Sequence, residues 1–390
     1  MKKIAEGIFY IGADDAQLDL FESQYPLEEG MSYNSYLVEG EKIAVMDTVD
    51  AAVASQWQDN LLEALAGRTP DYLVVHHMEP DHSGLIEWMV RKWPDVQIVA
   101  SAKAISFLGQ FFEGFQCRSL AVKEGDTIDL GGRSLRFFMA PMVHWPEVMV
   151  SLDSASSAIF SADAFGKFGA LSACGFWGEE DGDWACEARR YYFNICGKYG
   201  LPVQTLLKKV SALNLSMICP LHGPVLRENL GYYTGLYDIW SRYDVESEGV
   251  FIAYASIHGG TALAARRLSE MLSDKGVKVV VTDLSRCDMA EAVEDAFRYG
   301  KTVLAAASYD GGVFPPMAVF LHHLCDKAWQ KRTVGIIENG TWAPSAARVI
   351  KDKLSAMKEI TVLEPVVSIR SRLKTSDMGA LEALAAALAQ

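Results

Sequence analysis

The chain has 390 residues, half of them hydrophobic and 22% charged, with a formal net charge of −14. A length of this order predicts two or three globular domains, and the acidic balance disfavours binding to nucleic acid. Seven widely spaced cysteines without a C-x-x-C pair favour neither a disulfide framework nor a thiolate metal site, and they indicate a reducing compartment. We recognise no signal peptide and no apolar run of the ~18 residues that cross a membrane, so we expect a cytoplasmic protein without a membrane partner.

Up to about residue 250, short β-rich runs alternate with turns and helices. The spacing of apolar residues predicts strands within 35–49, 96–101, 134–141 and 156–163, and helices over 56–67 and 85–93. This mixed pattern predicts an α+β or layered α/β domain with two sheets, covering residues 1–249. The domain boundary is expected within 227–249, with "ESEG" as the linker.

From residue 251 the pattern changes to strict alternation of strands and helices. Strands are predicted at 250–256, 277–284, 302–308, 332–340 and 361–370, and helices at 261–276, 289–300, 317–329 and 344–358, before a final Ala/Leu helix. Five such units predict an open, doubly wound parallel sheet of five strands, with helices on both faces, over residues 250–390.

The first strand of the second half leads through "SIHGGT", residues 256–261, directly into a predicted helix. Glycines let several backbone N–H groups point at one spot, and the helix N-terminus adds its dipole. The loop suits one phosphate monoester, whereas the lack of G-x-G-x-x-G and of a P-loop lysine disfavours a dinucleotide or a nucleoside triphosphate. Two other strand ends, 308–316 and 338–344, could cover a flat ring with Tyr309 and Trp342. Each loop alone could equally be a turn with packed aromatic residues.

Three of the eight histidines fall within "HHMEPDHSG", residues 76–84. The apolar run before it predicts a strand, on which His77 and Glu79 point the same way because side chains alternate. Asp81 and His82 follow in a turn. Imidazole and carboxylate together suit zinc or iron rather than magnesium alone. Taken alone, the stretch could still be a surface loop.

Three more polar residues each follow a β-rich run, namely His144, Asp163 and His222. Each alone could be a satisfied polar group of the core. Together with the histidine-rich stretch they match, in order, the metallo-β-lactamase-like superfamily, whose usual pattern is H-x-H-x-D-H. In this chain Glu79 stands at the second histidine. The extra carboxylate adds negative charge and a hard oxygen ligand, which favours iron over zinc.

The second half resembles a flavodoxin domain, because Ser256, Gly259 and Thr261 match that family's phosphate loop. The resemblance implies FMN as the cofactor. The second loop departs from the Pro-Thr and asparagine form expected in related flavoproteins. The candidate FMN-binding residues are Ser256, Ile257, His258, Gly259, Gly260, Thr261, Ala307, Ser308, Tyr309, Asp310, Gly311, Gly312, Asn339, Gly340, Thr341 and Trp342.

Over essentially its whole length, the chain resembles the flavodiiron proteins, also called A-type flavoproteins. The resemblance implies an N-terminal αββα sandwich and two iron ions. One iron would be held by His77, Glu79 and His144, and the other by Asp81, His82 and His222. Asp163 would bridge the two irons. No catalytic residue beyond these ligands is expected, and His76 is expected to point away into a hydrogen bond.

The same resemblance implies reduction of dioxygen to water or of nitric oxide to nitrous oxide. The sequence does not decide between the two gases, and Tyr25, Tyr33 and Trp145 are unranked candidates for tuning the preference. It also implies a head-to-tail homodimer, or a dimer of dimers, in which one chain's FMN faces the other chain's irons. No C-x-x-C pairs follow the last helix, so we expect an external electron donor such as rubredoxin or another small redox carrier.

Three alternatives remain at the level of sequence. The first is a zinc-dependent hydrolase of the metallo-β-lactamase superfamily with a fused flavodoxin-like domain. The second is a pure electron carrier whose first half binds no metal, and the third is a sensor that binds nitric oxide without turnover. Glu79 and the second half of the chain argue against the hydrolase.

Overall fold

The computed structural model describes all 390 residues, which divide into two compact units. The first unit comprises Met1–Tyr192 and Leu201–Asp238, and the second comprises Phe193–Gly200 and Ile239–Gln390. The domain ranges 1–249 and 250–390 stay predictions, and the strand Ser247–Ala255 runs across that boundary. None of the helices combines the length and the apolar character that a membrane crossing requires.

The first unit contains the two predicted sheets. One has seven strands, in the spatial order Lys2–Ala5, Ile8–Tyr10, Tyr36–Glu39, Ile43–Met46, Tyr72–Val75, Gln97–Ser101 and Arg118–Val122. The other has five strands, in the order Thr127–Asp129, Ser134–Met139, Met149–Asp153, Ala158–Phe160 and Met217–Cys219. Two short hairpins pair Ala13–Asp15 with Met31–Tyr33 and Leu20–Phe21 with Tyr25–Pro26.

One apolar core lies between these two sheets. It combines inward-facing side chains of the first sheet, such as Tyr36 and Val74, with those of the second, such as Phe137 and Phe160. All four are at most 2% exposed. Because side chains alternate along a strand, every second residue enters this layer. The two strand sets therefore stack face to face, as the sequence predicts.

Helices of the first unit connect the strands. They span Ala54–Leu65, Pro80–Ser83, Ile86–Lys92, Ala102–Phe111 and Leu171–Cys174, and three further helices, Trp184–Ile195, Gly200–Val210 and Leu230–Ser241, lie partly in each unit. Short 3₁₀ helices lie at Ala51–Val53 and Gly178–Glu180, and a third, Gly197–Tyr199, belongs to the second unit. The predicted turn after Pro80 is instead one turn of α-helix, with the proline at its first position, where a missing N–H costs nothing.

The second unit is a parallel sheet with helices on both faces, which confirms the predicted doubly wound fold. Its order is Val279–Asp283, Ser247–Ala255, Tyr299–Tyr309, Arg332–Asn339 and a fifth position shared by Ile360–Val362 and Val367–Ile369. Gly312–Val313 folds back on the end of the third strand as a hairpin. The helices are Gly260–Ser273, Met289–Arg298, Pro315–Asp326, Ala346–Leu354 and Met378–Leu388, with a 3₁₀ turn at Thr375–Asp377.

Two predicted elements of the second unit differ from the structure. The strand predicted over 361–370 is split at Pro365, which has no N–H to donate to a ladder. The helix predicted to open with Pro344 begins at Ala346. Its first free N–H groups are held by side chains, because Ser308 Oγ accepts from Ala346 N and Glu338 Oε2 accepts from Ala347 N.

Ser101 connects the sheet to the loop that carries His144. Its hydroxyl oxygen accepts a hydrogen bond from Ala104 N (3.1 Å) as a helix cap and donates one to the Glu147 carbonyl (2.7 Å). We expect Ser101→Ala to lower the free energy of unfolding by about 1–2 kcal/mol, because both bonds are lost in a buried place. Denaturant unfolding measures the change. Ser106→Ala, at an exposed hydroxyl of the same helix, is the control, and equal midpoints for the two variants would contradict the expectation.

Candidate functional site

Four strand ends of the first unit converge on one cluster of histidines and carboxylates. The strand Tyr72–Val75 leads to residues 77–82, and three strands of the second sheet lead to His144, Asp163 and His222. All seven residues that the sequence nominates as metal ligands lie in this cluster. They form two groups, His77, Glu79, His144 and Asp163 on one side and Asp81, His82 and His222 on the other.

In the first group, two imidazoles face two carboxylates. His77 Nε2 lies 3.1 Å from Glu79 Oε2 and 3.2 Å from Asp163 Oδ2. His144 Nε2 lies 3.1 Å from the same Glu79 oxygen and 3.3 Å from the same Asp163 oxygen. Ligands that each sit ~2.0–2.2 Å from one ion at near-tetrahedral or octahedral angles are separated by about this much.

In the second group, Asp81 Oδ2 lies 3.4 Å from His82 Nε2 and 3.3 Å from His222 Nε2. The other oxygen of Asp163, Oδ1, lies 3.2 Å from His82 Nε2 and 3.7 Å from His222 Nε2. Asp163 thus directs one carboxylate oxygen to each group. This is the arrangement of a carboxylate that can bridge two ions.

Unsatisfied polar atoms show that the cluster fits metal ions. Both carboxylate oxygens of Asp81, both ring nitrogens of His82 and Oδ1 of Asp163 are buried without a hydrogen-bond partner. Buried polar atoms are nearly always paired, because desolvation without a partner is costly. Three of them, Asp81 Oδ2, His82 Nε2 and Asp163 Oδ1, face one another, and ions bound between them would supply the missing interaction.

The negative charge of the cluster determines the charge of the ions that it can bind. Glu79, Asp81, Asp163 and the adjoining Glu147 are four carboxylates, and their ion-pair partners are histidines only, with no lysine or arginine. Asp163 and Glu147 are each 1% exposed. Four buried or half-buried negative charges need compensation. Two divalent cations supply it while the histidines stay neutral.

Without metal, protons take over part of this compensation. Burial by itself lowers the pKa of His77, but the carboxylates of Asp163, Glu147 and Glu79 outweigh it and hold that pKa well above its usual value. The same balance of burial against Asp163 and Glu79 raises the pKa of His144 to about 9. Burial would raise the pKa of Asp163, yet His77 and His82 hold it well below its usual value.

These pKa values predict that metal loading releases protons. At pH 7 the unloaded site holds protons on imidazoles, and a metal ion needs the free ring nitrogen. The stabilisation from protonated His144 is fully present below about pH 6.5 and is lost as the pH rises through about 9. Proton competition therefore weakens over that window, and we expect the apparent affinity for Co²⁺ to increase from pH 6.5 to 9.

Calorimetric titration with Co²⁺ in buffers of different protonation enthalpy measures the protons released. A heat of binding that does not depend on the buffer at pH 7 would contradict this expectation. The exposed His322, which pairs with Asp326 on a helix of the second unit, offers His322→Gln as a control that leaves the proton release unchanged.

Hydrogen bonds behind the cluster orient its histidines. Glu147 Oε1 lies 2.7 Å from His77 Nδ1, and the Ser32 carbonyl lies 2.7 Å from His222 Nδ1. Each contact leaves Nε2 directed at the carboxylates. His76 points away, as expected, with Nδ1 against Asp47 and Nε2 2.8 Å from Ser151 Oγ. Sequence reasoning missed Glu147 and Ser32.

Aromatic rings flank both groups. Phe21 and Tyr33 approach His222 edge-on, with ring centroids at 5.6 and 5.7 Å, and Trp145 approaches His77 in the same way at 5.1 Å. Tyr25 packs on Phe168. Of the three residues predicted to tune the site, Tyr33 and Trp145 therefore contact it directly.

The second unit carries a cavity of about 1200 Å³ at the carboxyl ends of its strands. The loop 256–261 forms one side of it, with Ser256 Oγ accepting a hydrogen bond from Gly259 N (3.1 Å). Gly259 has a φ of +85° and Gly311 a φ of +72°, which a glycine adopts without strain. Fifteen of the sixteen predicted residues line the cavity, namely 256–261, 307–311 and 339–342.

Gly312, on the returning strand of the hairpin, does not line the cavity. The lining also includes residues that sequence reasoning missed, namely Leu263, Ala343, Ser345, Ser371, Arg372 and Leu373. The last three follow the strand Val367–Ile369. Because ligands bind beyond the carboxyl ends of the strands in such a sheet, the place of these three residues after a fourth strand is the signal that could have identified them.

Known proteins resemble this chain both in its first half and over most of its length. A family model described as "ODP family beta lactamase" matches residues 31–223. Diflavin flavoprotein A 1 of Synechocystis sp. is 32% identical over 298 residues, which cover 75% of this chain and 51% of that protein. The anaerobic nitric oxide reductase flavorubredoxin of Salmonella arizonae is 27% identical over 386 residues, covering 97% of this chain and 79% of that protein.

Solved structures share the complete fold. The rubredoxin oxygen:oxidoreductase of Desulfovibrio gigas superimposes with a TM-score of 0.94 at 24% identity, covering 100% of this chain and 97% of that chain. The flavodiiron protein of Giardia intestinalis superimposes with a TM-score of 0.91 at 21% identity, again covering 100% of this chain and 97% of that chain. By contrast, this chain spans 51 to 64% of the length of three diflavin flavoproteins that it matches.

Proposed function

We propose that the chain is a flavodiiron protein, an oxidoreductase that reduces dioxygen to water, nitric oxide to nitrous oxide, or both. The observation that carries the proposal is the placement of Asp163, whose two oxygens face two separate groups of histidine and carboxylate ligands. Two-metal sites also serve hydrolysis, so the choice against a hydrolase rests on Glu79 among the ligands and on the cavity of the second unit, which suits a flavin.

Iron is the proposed metal. His77, Glu79 and His144 would hold one ion, Asp81, His82 and His222 the other, and Asp163 would bridge them. Glu79 lies within 3.1 Å of both histidines of its group, so its carboxylate is placed as a ligand rather than as a distant charge. Hard oxygen ligands favour iron in a site that must change oxidation state. When bound, the two irons supply electrons to the substrate.

FMN is the proposed occupant of the cavity in the second unit. The loop 256–261 precedes the helix Gly260–Ser273, whose free N–H groups and dipole suit a phosphate. Tyr309 and Trp342 stand at the mouth with exposed rings, 45% and 87% accessible, where they can cover a flat ring system. When bound, the flavin relays electrons singly to the irons.

The chain's own residues shape the reaction space. Phe21, Tyr33 and Trp145 present ring edges to the histidines and limit the water that reaches them. A small apolar diatomic suits such a lining better than a charged or peptide-sized substrate. The buried carbonyl of Ser32 fixes the His222 ring so that Nε2 keeps facing Asp81.

We also propose the head-to-tail homodimer, alone or paired into a dimer of dimers, and an external donor such as rubredoxin. Apolar side chains around the cavity are exposed in the single chain, which supports a partner subunit that covers this surface. Their accessibility is 40 to 87%, and they are Ile257, Leu263, Tyr309 and Trp342. A two-fold arrangement would serve two equivalent sites. Sedimentation of the unaltered protein is expected to give a dimer or tetramer, and an active monomer would contradict the proposal.

One experiment tests the activity. Protein purified anaerobically is analysed for iron and zinc, reduced chemically, and given nitric oxide without oxygen or dioxygen alone. We expect about two irons per chain and consumption of at least one gas. Zinc without iron, together with no consumption of either gas, would favour the hydrolase, and consumption unaffected by His144→Ala would favour a simple electron carrier.

A further inference from the structure

Glu147 is a buried carboxylate that contacts the metal cluster from behind. It lies in the loop between the strands Ser134–Met139 and Met149–Asp153, and it is 1% exposed. Its Oε1 accepts a hydrogen bond from the Met78 backbone N–H (3.0 Å) and lies 2.7 Å from His77 Nδ1. Its Oε2 is buried and has no partner. The fold thus places a buried carboxylate here with donors on one of its oxygens only.

The contact fixes which nitrogen of His77 is available. Because a carboxylate oxygen has no proton to donate and can accept two hydrogen bonds, His77 Nδ1 is the donor to Oε1, beside Met78 N–H. The proton therefore stays on Nδ1, and Nε2 faces Glu79 and Asp163. An imidazole whose far N–H is bound to a carboxylate is a more basic and more electron-rich metal ligand.

The other three histidines of the cluster lack this partner. His222 Nδ1 meets a neutral carbonyl, that of Ser32. His82 Nδ1 is buried without a partner. The contacts of His144 run through Nε2 to Glu79 and Asp163. A carboxylate behind a ligand thus occurs in the first group only, and the two metal positions are electronically unequal.

We infer that Glu147 is a positioning residue that makes the metal position of His77, Glu79 and His144 the more electron-rich of the two. The inference rests on the proposed function, since it presumes a redox-active metal in each group. The iron bound by His77, Glu79 and His144 would hold the higher oxidation state more readily, so its reduction potential would be the lower of the two. The geometry alone assigns this order, because burial keeps the Glu147 charge unscreened.

The test uses Glu147→Gln in the full-length protein loaded anaerobically with ⁵⁷Fe. Glutamine keeps the shape and an oxygen acceptor for His77 but removes the charge. We expect nearly full iron content, one of two Mössbauer quadrupole doublets altered, and a reduction potential shifted upward for that iron only. Glu147→Leu, which also removes the acceptor, is expected to weaken metal binding about 10- to 100-fold.

Ser32→Ala is the matched control in the other group. It removes the hydroxyl that accepts from Gly223 N (2.7 Å) but keeps the backbone carbonyl behind His222, so the doublet and potential of the first position stay as they are. If Glu147→Gln fails to fold, Glu147→Asp withdraws the carboxylate by about one bond length, ~1.5 Å, and shifts the same potential upward by less.

Two results would overturn the inference. Potentials and doublets unchanged in Glu147→Gln would mean that the charge tunes nothing, and equal shifts of both irons would mean a general structural role. Failure of the proposed function looks different, because the unaltered protein would then lack two irons per chain or would show no redox change at them.

Discussion

Asp163→Asn is expected to bind no more than one iron per chain and to lose gas reduction by more than about 100-fold. Asp163 is the only residue whose side chain reaches both ligand groups, with Oδ2 near His77 and His144 and Oδ1 near His82 and His222. An amide offers one oxygen and one N–H₂ group, and the latter cannot ligate a cation. Losing a direct ligand exceeds the 10- to 100-fold effect of losing an outer hydrogen bond.

Iron per chain by mass spectrometry and consumption of dioxygen or nitric oxide by electrode measure this loss. Asp95→Asn is the control, because the Asp95 side chain is fully exposed and touches only Arg118. Asp163→Asn is expected to stay folded, since asparagine has the same shape as aspartate. Two irons per chain in Asp163→Asn would show that the carboxylate does not bridge them.

Gly260→Ala is expected to weaken FMN binding about 10- to 100-fold. A Cβ at this position would lie 2.4 Å from the Ser371 carbonyl oxygen and 2.9 Å from Asn339 Nδ2. Neither neighbour is the free end of a flexible chain, so the loops around the cavity must move. Overpacking of this kind costs about 1–3 kcal/mol, and each 1.4 kcal/mol is a factor of about ten in affinity.

Fluorescence titration of FMN-free protein with FMN measures the affinity. Gly379→Ala is the matched control, because it lies in the helix Met378–Leu388 with open space around the added Cβ. Alanine there is expected to leave FMN binding unchanged and to stabilise the helix slightly. Equal FMN affinities for the two variants would contradict the expectation.

Much of the fold follows from local sequence patterns. Period-two and period-3.6 spacing identify the two-sheet half and the alternating half, because each reflects which face of an element is buried. Element ends are harder to predict. The helix predicted from Pro344 starts at Ala346 because Ser308 and Glu338, distant in sequence, bind its first N–H groups.

The candidate site shows the same division. Histidine and carboxylate residues after β-rich runs can be listed from sequence, since strand ends meet at one edge of a fold. The groups that hold these residues in place from behind cannot be listed from sequence. The His222 ring is held by a backbone carbonyl, which every residue possesses and no motif reveals. Glu147 is equally hidden, because only folding brings it from 70 positions away to His77.

Asn339 and Ser371 tie two loops of the cavity together. Asn339 Nδ2 donates to the Ser371 carbonyl and Asn339 Oδ1 accepts from Ser371 N, both at 3.0 Å, and Thr341 Oγ1 lies 2.8 Å from Ser371 Oγ. These three hydrogen bonds fasten the two loops to each other. The opposite walls turn on glycines, Gly259 and Gly311. Because of the three hydrogen bonds, the side of the cavity that the two fastened loops form is ordered before a ligand binds, which reduces the entropy that binding has to offset.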